Sequence, residues 1–307
     1  MMKTSASDHQ LNRHMRTYIG RFAPSPTGPL HFGSLVAAVG SWLQARHQQG
    51  RWLLRIEDID PPRVVQGSAE QQIATLTRFG LKADGPVQYQ RQFHDRHAMA
   101  LERLLALGLA YPCGCSRRDL PADGIYPGTC RNGIPDGRTG RSIRMRTDRA
   151  STIEIHDRVQ GDISEHPGQR TGDFVIRRAD GLIAYQLAVV VDDHASGVTE
   201  VVRGADLIGS TARQVHVYQA LGWQSPDWMH LPLIVDEHGR KLSKSERDDP
   251  IETRPDGEAM RLALRALGHE PSPVRKTLSG MLDWALENWN PERIPRGPVA
   301  IGTQPGH

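Results

Sequence analysis

The sequence predicts an α/β protein built around a parallel sheet, and three features predict it. An apolar segment, a Gly/Pro-rich turn, an apolar-periodic segment and a second apolar segment follow one another between residues 18 and 56. That is the order of a βαβ unit. The run Leu187-Ala188-Val189-Val190-Val191 is apolar on both faces, as a buried parallel strand would be. A helical pattern over Ser210–Leu221 then leads into Leu231–Val235, a second helix-to-strand step.

In chain order, Tyr18–Ala23 reads as the first strand and Pro24–Pro29 as the turn. A helix over Ser34–Gln49 places Leu35, Val39, Trp42 and Leu43 at helical spacing and stops at Gly50. Trp52–Ile56 is the second strand, followed by the acidic run Glu57-Asp58-Ile59-Asp60. Helices are expected over 68–79 and 94–108. Residues 111–150 are rich in Gly, Pro, Arg and Cys and have little periodicity, the pattern of an insertion held by something other than a core. Strands return at Ile153–Val159, Phe174–Arg178, Leu182–Val191 and Thr199–Arg203. Residues 256–289 read as helical, with Met260, Leu264 and Leu267 on one face. The domain plan is a flexible leader (1–16), two halves of one α/β domain (17–110 and 151–250) split by a metal-binding insertion (111–150), a helical region (251–290) and a disordered tail (291–307).

Composition sets the bounds. The chain has 307 residues, 38% of them hydrophobic and 24% charged, enough for a large core without staples. No apolar run approaches the roughly 20 residues of a membrane span. The polar start, Met1 to Arg16, lacks the apolar stretch of a secretory signal, so a cytoplasmic protein is expected. A net charge of +3 is compatible with a nucleic-acid partner. Three cysteines do not make a disulfide framework.

Two motifs carry chemistry. Pro24-Ser25-Pro26-Thr27-Gly28-Pro29-Leu30-His31-Phe32-Gly33-Ser34 is a turn entering a helix, and Lys241-Leu242-Ser243-Lys244-Ser245 is a loop with two lysines. A strand feeding a turn and then a helix gathers backbone N–H groups and the positive helix end at one place, which suits phosphate. His31 adds a donor, and Gly33 lets a nucleotide approach the backbone. Ser34 is expected to cap the helix and bond phosphate. Lys241 and Lys244 would neutralise the phosphates. Arg21, before the turn, and Arg203, at a strand end, lie at C-terminal strand edges, where open α/β folds bind ligands. Their guanidinium forks suit carboxylates.

Cys113, Cys115 and Cys130 lie in the unpatterned insertion. Three thiolates this close favour a metal, and Zn²⁺ wants four ligands. There is no fourth Cys, and no His lies between residues 98 and 155. Tyr126 is the available fourth ligand, with Asp123 or a water as alternatives. Arg117, Arg118, Arg131, Arg138, Arg141, Arg144 and Arg146 surround the cluster, a basic density suited to phosphate contacts.

The two motifs resemble the HIGH and KMSKS signatures of class I aminoacyl-tRNA synthetases. Arg21–Gly28, Tyr185–Asp193 and Arg203–Leu207 resemble the glutamyl branch, and the likeness spans roughly residues 18–250. Phe32, Ser34 and Leu242 depart from the signature residues. The resemblance implies a Rossmann-like, doubly wound catalytic core that adenylates glutamate. It places glutamate contacts at Arg21, Ala23, Ser25, Glu57, Tyr185 and Arg203, with Glu57 suiting the ammonium group. It places ATP contacts at Pro24, His31, Gly33, Ser34 and Lys244, with His31, Lys244 and Lys241 catalytic. It also supports Tyr126 as the fourth ligand of one structural Zn²⁺, and implies Mg²⁺ arriving with ATP. About 60 residues follow the lysine loop, fewer than the anticodon-binding region of a full glutamyl-tRNA synthetase. The chain therefore resembles the glutamyl-Q tRNA(Asp) synthetase family, which implies a monomer acting on queuosine in tRNA(Asp). A short glutamyl-tRNA synthetase charging tRNA(Glu) and a silent tRNA-binding paralogue are the other readings.

Overall fold

Strand β1 (Ile19–Phe22) lies parallel to β2 (Arg51–Ile56), with Ile19 opposite Arg51 and Phe22 opposite Leu54. Helix α1 (Phe32–His47) makes the crossover between them, and β2 pairs on with the two-residue β3 (Gln88–Tyr89). These elements, and all that follow, come from a computed structural model that describes residues 17–236, 238–240 and 251–301. The leader 1–16, Lys241 and Lys244 lie outside the described residues.

Helices α2 (Ser68–Arg78) and α3 (His94–Ala106) follow at the expected places. The chain then forms β4 (Ala110–Cys113) and β5 (Ser142–Met145), which pair antiparallel. A hairpin of β6 (Ile153–Asp157) and β7 (Gly161–Glu165) comes next, then β8 (Phe174–Arg177), antiparallel to β5. After helix α4 (Tyr185–Ala195), strand β9 (Glu200–Gly204), helix α5 (Ile208–Leu221) and strand β10 (Asp227–Leu231) form the second parallel crossover. Strand β10 also bridges β6 through Trp228 and Asp157.

The two parallel sheets meet between β9 and β1. Thr199 donates its N–H to the Ile19 carbonyl at 2.9 Å, and its hydroxyl accepts the Ile19 N–H at 3.0 Å. The chain leaves β1 through α1 toward β2 on one side, and leaves β9 through α5 toward β10 on the other. That reversal is the topological switch point, so a crevice opens beyond the C-terminal ends of β1 and β9.

Helix α1 is buried along most of its circumference, with Leu35, Ala38, Val39, Leu43 and Ala45 fully inaccessible. Gly40 permits this. A Cβ there would stand 2.7 Å from Leu231 Cδ1 and 3.4 Å from Leu267 Cδ2. The C-terminal helical region therefore belongs to the main core. It is two helices, α6 (Asp256–Ala266) and α7 (Leu278–Asn288), parted by Gly268 at φ 77° and by two prolines. Met260, Ala263, Leu264 and Leu267 of this region join the α1 cluster, as their spacing predicts.

Two expectations are corrected. Residues 182–191 are not a strand, because Tyr185–Ala195 is helical. Every residue from Gln186 to Asp193 is buried, so the helix shows no polar face and its apolar run carries no period to distinguish it from a strand. The tail is ordered through residue 301. Pro291–Arg293 forms a 3₁₀ turn, Ile294 and Ile301 are buried, and β12 (Val299–Ala300) pairs with β11 (Ile234–Val235). Two isoleucine anchors and a strand partner outweigh the Gly/Pro content. No helix among the described residues is long and apolar enough to cross a membrane.

Candidate active site

The crevice at the switch point is a cavity of about 490 Å³. Arg21, Ala23, Pro24, Ser25, His31, Gly33, Ser34, Glu57, Tyr185 and Arg203 all line it. Residues from three strand ends and two helix starts, spread over more than half of the chain, therefore converge. Lys241 and Lys244 lie outside the described residues, but the chain on either side is anchored at the cavity. Pro232, Leu233 and Ile234 line the wall before the loop. On the return, the Ile251 N–H bonds to the carbonyl of Leu30, another lining residue, at 3.2 Å.

The turn feeding α1 is clamped by α2, which sequence reasoning missed. Gly28 sits at φ 136°. Its carbonyl accepts from Ser68 Oγ at 2.6 Å and from Gln72 Nε2 at 2.7 Å. His31 is the N-cap of α1, in extended conformation, and its buried Nδ1 has no partner among the described residues. Ser34 is therefore not the cap but the third helical residue. Among the described residues, Leu35 is the first of α1 whose N–H finds a backbone acceptor, the His31 carbonyl at 3.0 Å. Gly33 and Ser34 of this first turn line the cavity, and a helix start leaves such N–H groups without intrahelical acceptors. A Cβ on Gly33 would meet nothing within 4 Å, so open cavity lies against that backbone.

The two arginines fare differently. Arg21 Nε and Nη2 donate to the Asp193 carboxylate at 3.1 and 3.2 Å. Arg55 Nη2 donates to the same carboxylate at 2.7 Å. Burial works to raise the Asp193 pKa, and the two guanidinium groups overcome it and hold the carboxyl below its ordinary range. Much of the Arg21 fork is thus spent inside the protein. Glu57 lies beside Arg55 at 3.4 Å, yet burial still lifts its carboxyl above the usual value.

Arg203 is equally buried, 5% exposed, but among the described residues no carboxylate forms an ion pair with it. Its Nε donates to His230 Nε2 at 3.1 Å, its Nη2 to Thr211 Oγ1 at 2.8 Å and its Nη1 to Tyr185 Oη at 3.4 Å. The Trp228 ring lies 5.0 Å from the guanidinium carbon. Burial lowers the Arg203 pKa, because desolvation disfavours the charged form. One signal for Asp193 was available: two adjacent carboxylates inside an apolar run must find buried cations. Nothing local signalled His230 or Asp157.

In the insertion, Cys113, Cys115 and Cys130 gather with their sulfurs within 4.8 Å of one another. Cys113 ends β4, and the cluster sits on the β4–β5–β8 sheet. Tyr126 Oη lies 3.3 Å from Cys113 Sγ and 3.9 Å from Cys115 Sγ. Gly172, at φ 63°, lets the Tyr126 backbone pass; a Cβ there would be 2.1 Å from the Tyr126 carbonyl oxygen. Burial raises the Cys113 thiol, but hydrogen bonds from Tyr126, the Cys115 N–H and Arg144 bring it down to about 7. Three close sulfurs, one of them a ready thiolate, and one phenol oxygen suit a soft, tetrahedral cation such as zinc. Asp123 instead accepts the Ile125 N–H. Of the seven arginines, Arg131 pairs with Asp173 and Arg138 with Asp119. Arg144 lies buried against Cys113 and Tyr126, and Arg146 bonds the Arg131 carbonyl. Arg117, Arg118 and Arg141 remain exposed.

Comparison with known proteins shows the family. The family model for tRNA synthetases class I (E and Q), catalytic domain, matches residues 18–123 and 131–259. A glutamyl-Q tRNA(Asp) synthetase from Chromobacterium violaceum is 50% identical over 291 residues, covering 92% of this chain and 97% of its own. One from Aromatoleum aromaticum is 49% identical over 288 residues, 91% of each chain. Among solved structures, a glutamate tRNA ligase from Elizabethkingia meningosepticum in complex with its amino acid superposes with a TM-score of 0.78 at 26% identity, over 93% of this chain and 67% of that one. The chain belongs to the glutamyl-Q tRNA(Asp) synthetase family, within the class I synthetases for glutamate and glutamine.

Proposed function

We propose that the protein joins L-glutamate to ATP as glutamyl-adenylate and passes the glutamyl group to queuosine at the wobble position of tRNA(Asp). The carrying observation is the buried Arg203 guanidinium, which forms no ion pair with a carboxylate among the described residues and lines the same cavity as the start of α1. A dianionic amino acid fits the first, and a nucleotide phosphate fits the second.

One carboxylate oxygen of glutamate attacks the α-phosphorus, and the bond to pyrophosphate breaks. A hydroxyl of the queuosine cyclopentenediol then attacks the acyl carbon, and AMP leaves. Charge builds on phosphoryl oxygens in the first step, so preorganised donors supply most of the catalysis. Those donors are the α1 N–H groups and His31, joined by Lys244 and Lys241. Pro24, Gly33 and Ser34 border the nucleotide. Arg203, Tyr185, Arg21, Ala23 and Ser25 surround the glutamate, with Glu57 opposite its ammonium group. Mg²⁺ comes with the nucleotide and supplies further charge neutralisation.

Cys113, Cys115, Cys130 and Tyr126 hold one structural zinc that folds residues 111–150 into a knuckle. Arg117, Arg118 and Arg141 on this knuckle, and the helical region 251–290, meet the RNA. The described lining residues all come from one chain, which supports a monomer, and a tRNA substrate supports a cytoplasmic location.

Labelled glutamate and ATP, offered with tRNA from cells that have or lack queuosine, test the reading. Label on tRNA(Asp) only when queuosine is present is expected. Label on tRNA(Glu) would establish the conventional charging activity instead, and absence of any glutamate-dependent ATP–pyrophosphate exchange would establish a silent paralogue.

Two substitutions follow from the local geometry. Gly33→Ala meets no protein atom and suits a helix, so thermal stability should hold or rise by up to about 1 kcal/mol. The added methyl faces the nucleotide, so the KM for ATP should rise roughly tenfold or more. An unchanged KM would remove Gly33 from the nucleotide wall. Wild-type protein should contain one zinc per chain by elemental analysis, and Cys113→Ser should lose it after dialysis. Full retention in the variant would remove Cys113 from the ligand set.

A further inference from the structure

Beside the cavity, at the end of β10, lies a group that no step above uses. His230 is fully buried. Its Nδ1 lies 2.6 Å from Asp157 Oδ2 and its Nε2 lies 3.1 Å from Arg203 Nε. The partners determine the proton's place. An arginine nitrogen only donates, so Nε2 must carry the lone pair. The Asp157 carboxylate only accepts, so Nδ1 must carry the hydrogen. Asp157 is itself held by the backbone N–H groups of Val159 and Gln160, at 3.0 and 2.8 Å.

We propose that Asp157 and His230 form a positioning relay that orients the Arg203 guanidinium for the substrate carboxylate, and that the relay works only with a neutral imidazole. The inference rests on the reading of Arg203 as the carboxylate-binding residue. A second proton on His230 would set an N–H against the Arg203 N–H, replacing an attraction by a repulsion between two cations. The groups facing the ring are Asp157 from β6, Arg203 from β9, Thr211 from α5 at 3.1 Å and Asp206 from the turn after β9. Trp228 of the same strand stacks on it at 6.3 Å. Burial is the largest influence and holds the imidazole below its ordinary value, against the hydrogen bond to Asp157 that raises it. The relay is therefore intact at neutral pH and fails only toward acid pH.

The test uses His230, because Asp157 also secures the turn between β6 and β7. Glutamate-dependent ATP–pyrophosphate exchange is followed from about pH 5 to 8 for the wild type, His230→Leu, His230→Gln and Arg203→Ala, with thermal unfolding run in parallel. In the wild type the KM for glutamate should rise on the acid side while the KM for ATP does not follow it. His230→Leu should raise the glutamate KM about tenfold or more at neutral pH, with the ATP KM unchanged. His230→Gln offers Arg203 an acceptor that does not titrate. It should restore the glutamate KM at neutral pH to within a few-fold of the wild type and make the acid-side rise smaller than the wild type's, the remainder belonging to Glu57.

A folded His230→Leu with an unchanged glutamate KM would overturn the relay, as would an acid-side rise in His230→Gln as large as that of the wild type, since Glu57 titrates alike in both proteins. If His230→Leu does not fold, the His230→Gln profile still decides. Arg203→Ala separates the two levels. If it raises the glutamate KM and His230→Leu does not, the relay alone falls. If it leaves the glutamate KM unchanged, the reading of Arg203 falls as well.

Discussion

Arg203→Ala is expected to raise the KM for glutamate by roughly 10²–10³-fold, the cost of about 3–4 kcal/mol for truncating one partner of a buried charge pair. The KM for ATP should stay within a few-fold, because the helix start that faces the nucleotide is untouched. Arg203→Lys should rescue little. An ammonium group has no planar fork with which to meet His230, Thr211 and Tyr185 while facing a carboxylate. The fold should survive both changes. Arg203 has no ion-pair partner among the described residues, so its removal strands no buried counter-charge. A glutamate KM within a few-fold of the wild type in Arg203→Ala, read by ATP–pyrophosphate exchange, would remove the residue from the amino-acid pocket.

Asp193→Asn should behave in the opposite way. This carboxylate neutralises both Arg21 and Arg55, and its removal leaves two buried guanidinium groups facing a neutral amide. The expected loss is about 3–5 kcal/mol, a fall in Tm on the order of 10 °C, with activity lost through a misplaced Arg21. Because the native carboxyl titrates below its ordinary range, its contribution is present above the unfolded value of about 3.9 and is lost as pH falls through the native value. The Tm difference between wild type and variant should therefore be full at neutral pH and shrink toward acid pH. A variant with wild-type Tm would show that Glu57 suffices as internal counter-charge once Asp193 is neutral. The two variants thus separate two buried charged groups: Asp193, which is ion-paired inside the protein, and Arg203, which has no ion pair among the described residues and is proposed to take the substrate carboxylate.

Much of the site was legible from motifs. His31, Gly33, Arg21, Ser25, Tyr185 and Arg203 stand in short segments whose residue types answer to phosphate and carboxylate, and all of them line one cavity. The cysteine trio was legible from spacing alone. The unread parts are of two kinds. Helix Tyr185–Ala195 and the strand at Val299–Ala300 give no usable local pattern, one because it is buried on every side from Gln186 to Asp193, the other because it depends on a partner strand far away in sequence. The supporting residues, Asp193, Asp157, His230 and Gln72, act over separations such as the 172 positions between Arg21 and Asp193.

By itself, the sequence determined the chemistry available to this protein: a phosphate-binding turn, arginines at strand ends, three thiols and the family to which they belong. Only the tertiary structure decided how those groups are employed. It assigned much of the Arg21 fork to an internal carboxylate, gave Arg203 no ion pair among the described residues, and set His230 between Arg203 and Asp157. The physical reason is that residue type and spacing are local properties, whereas a charge's role depends on which counter-charges the fold buries beside it.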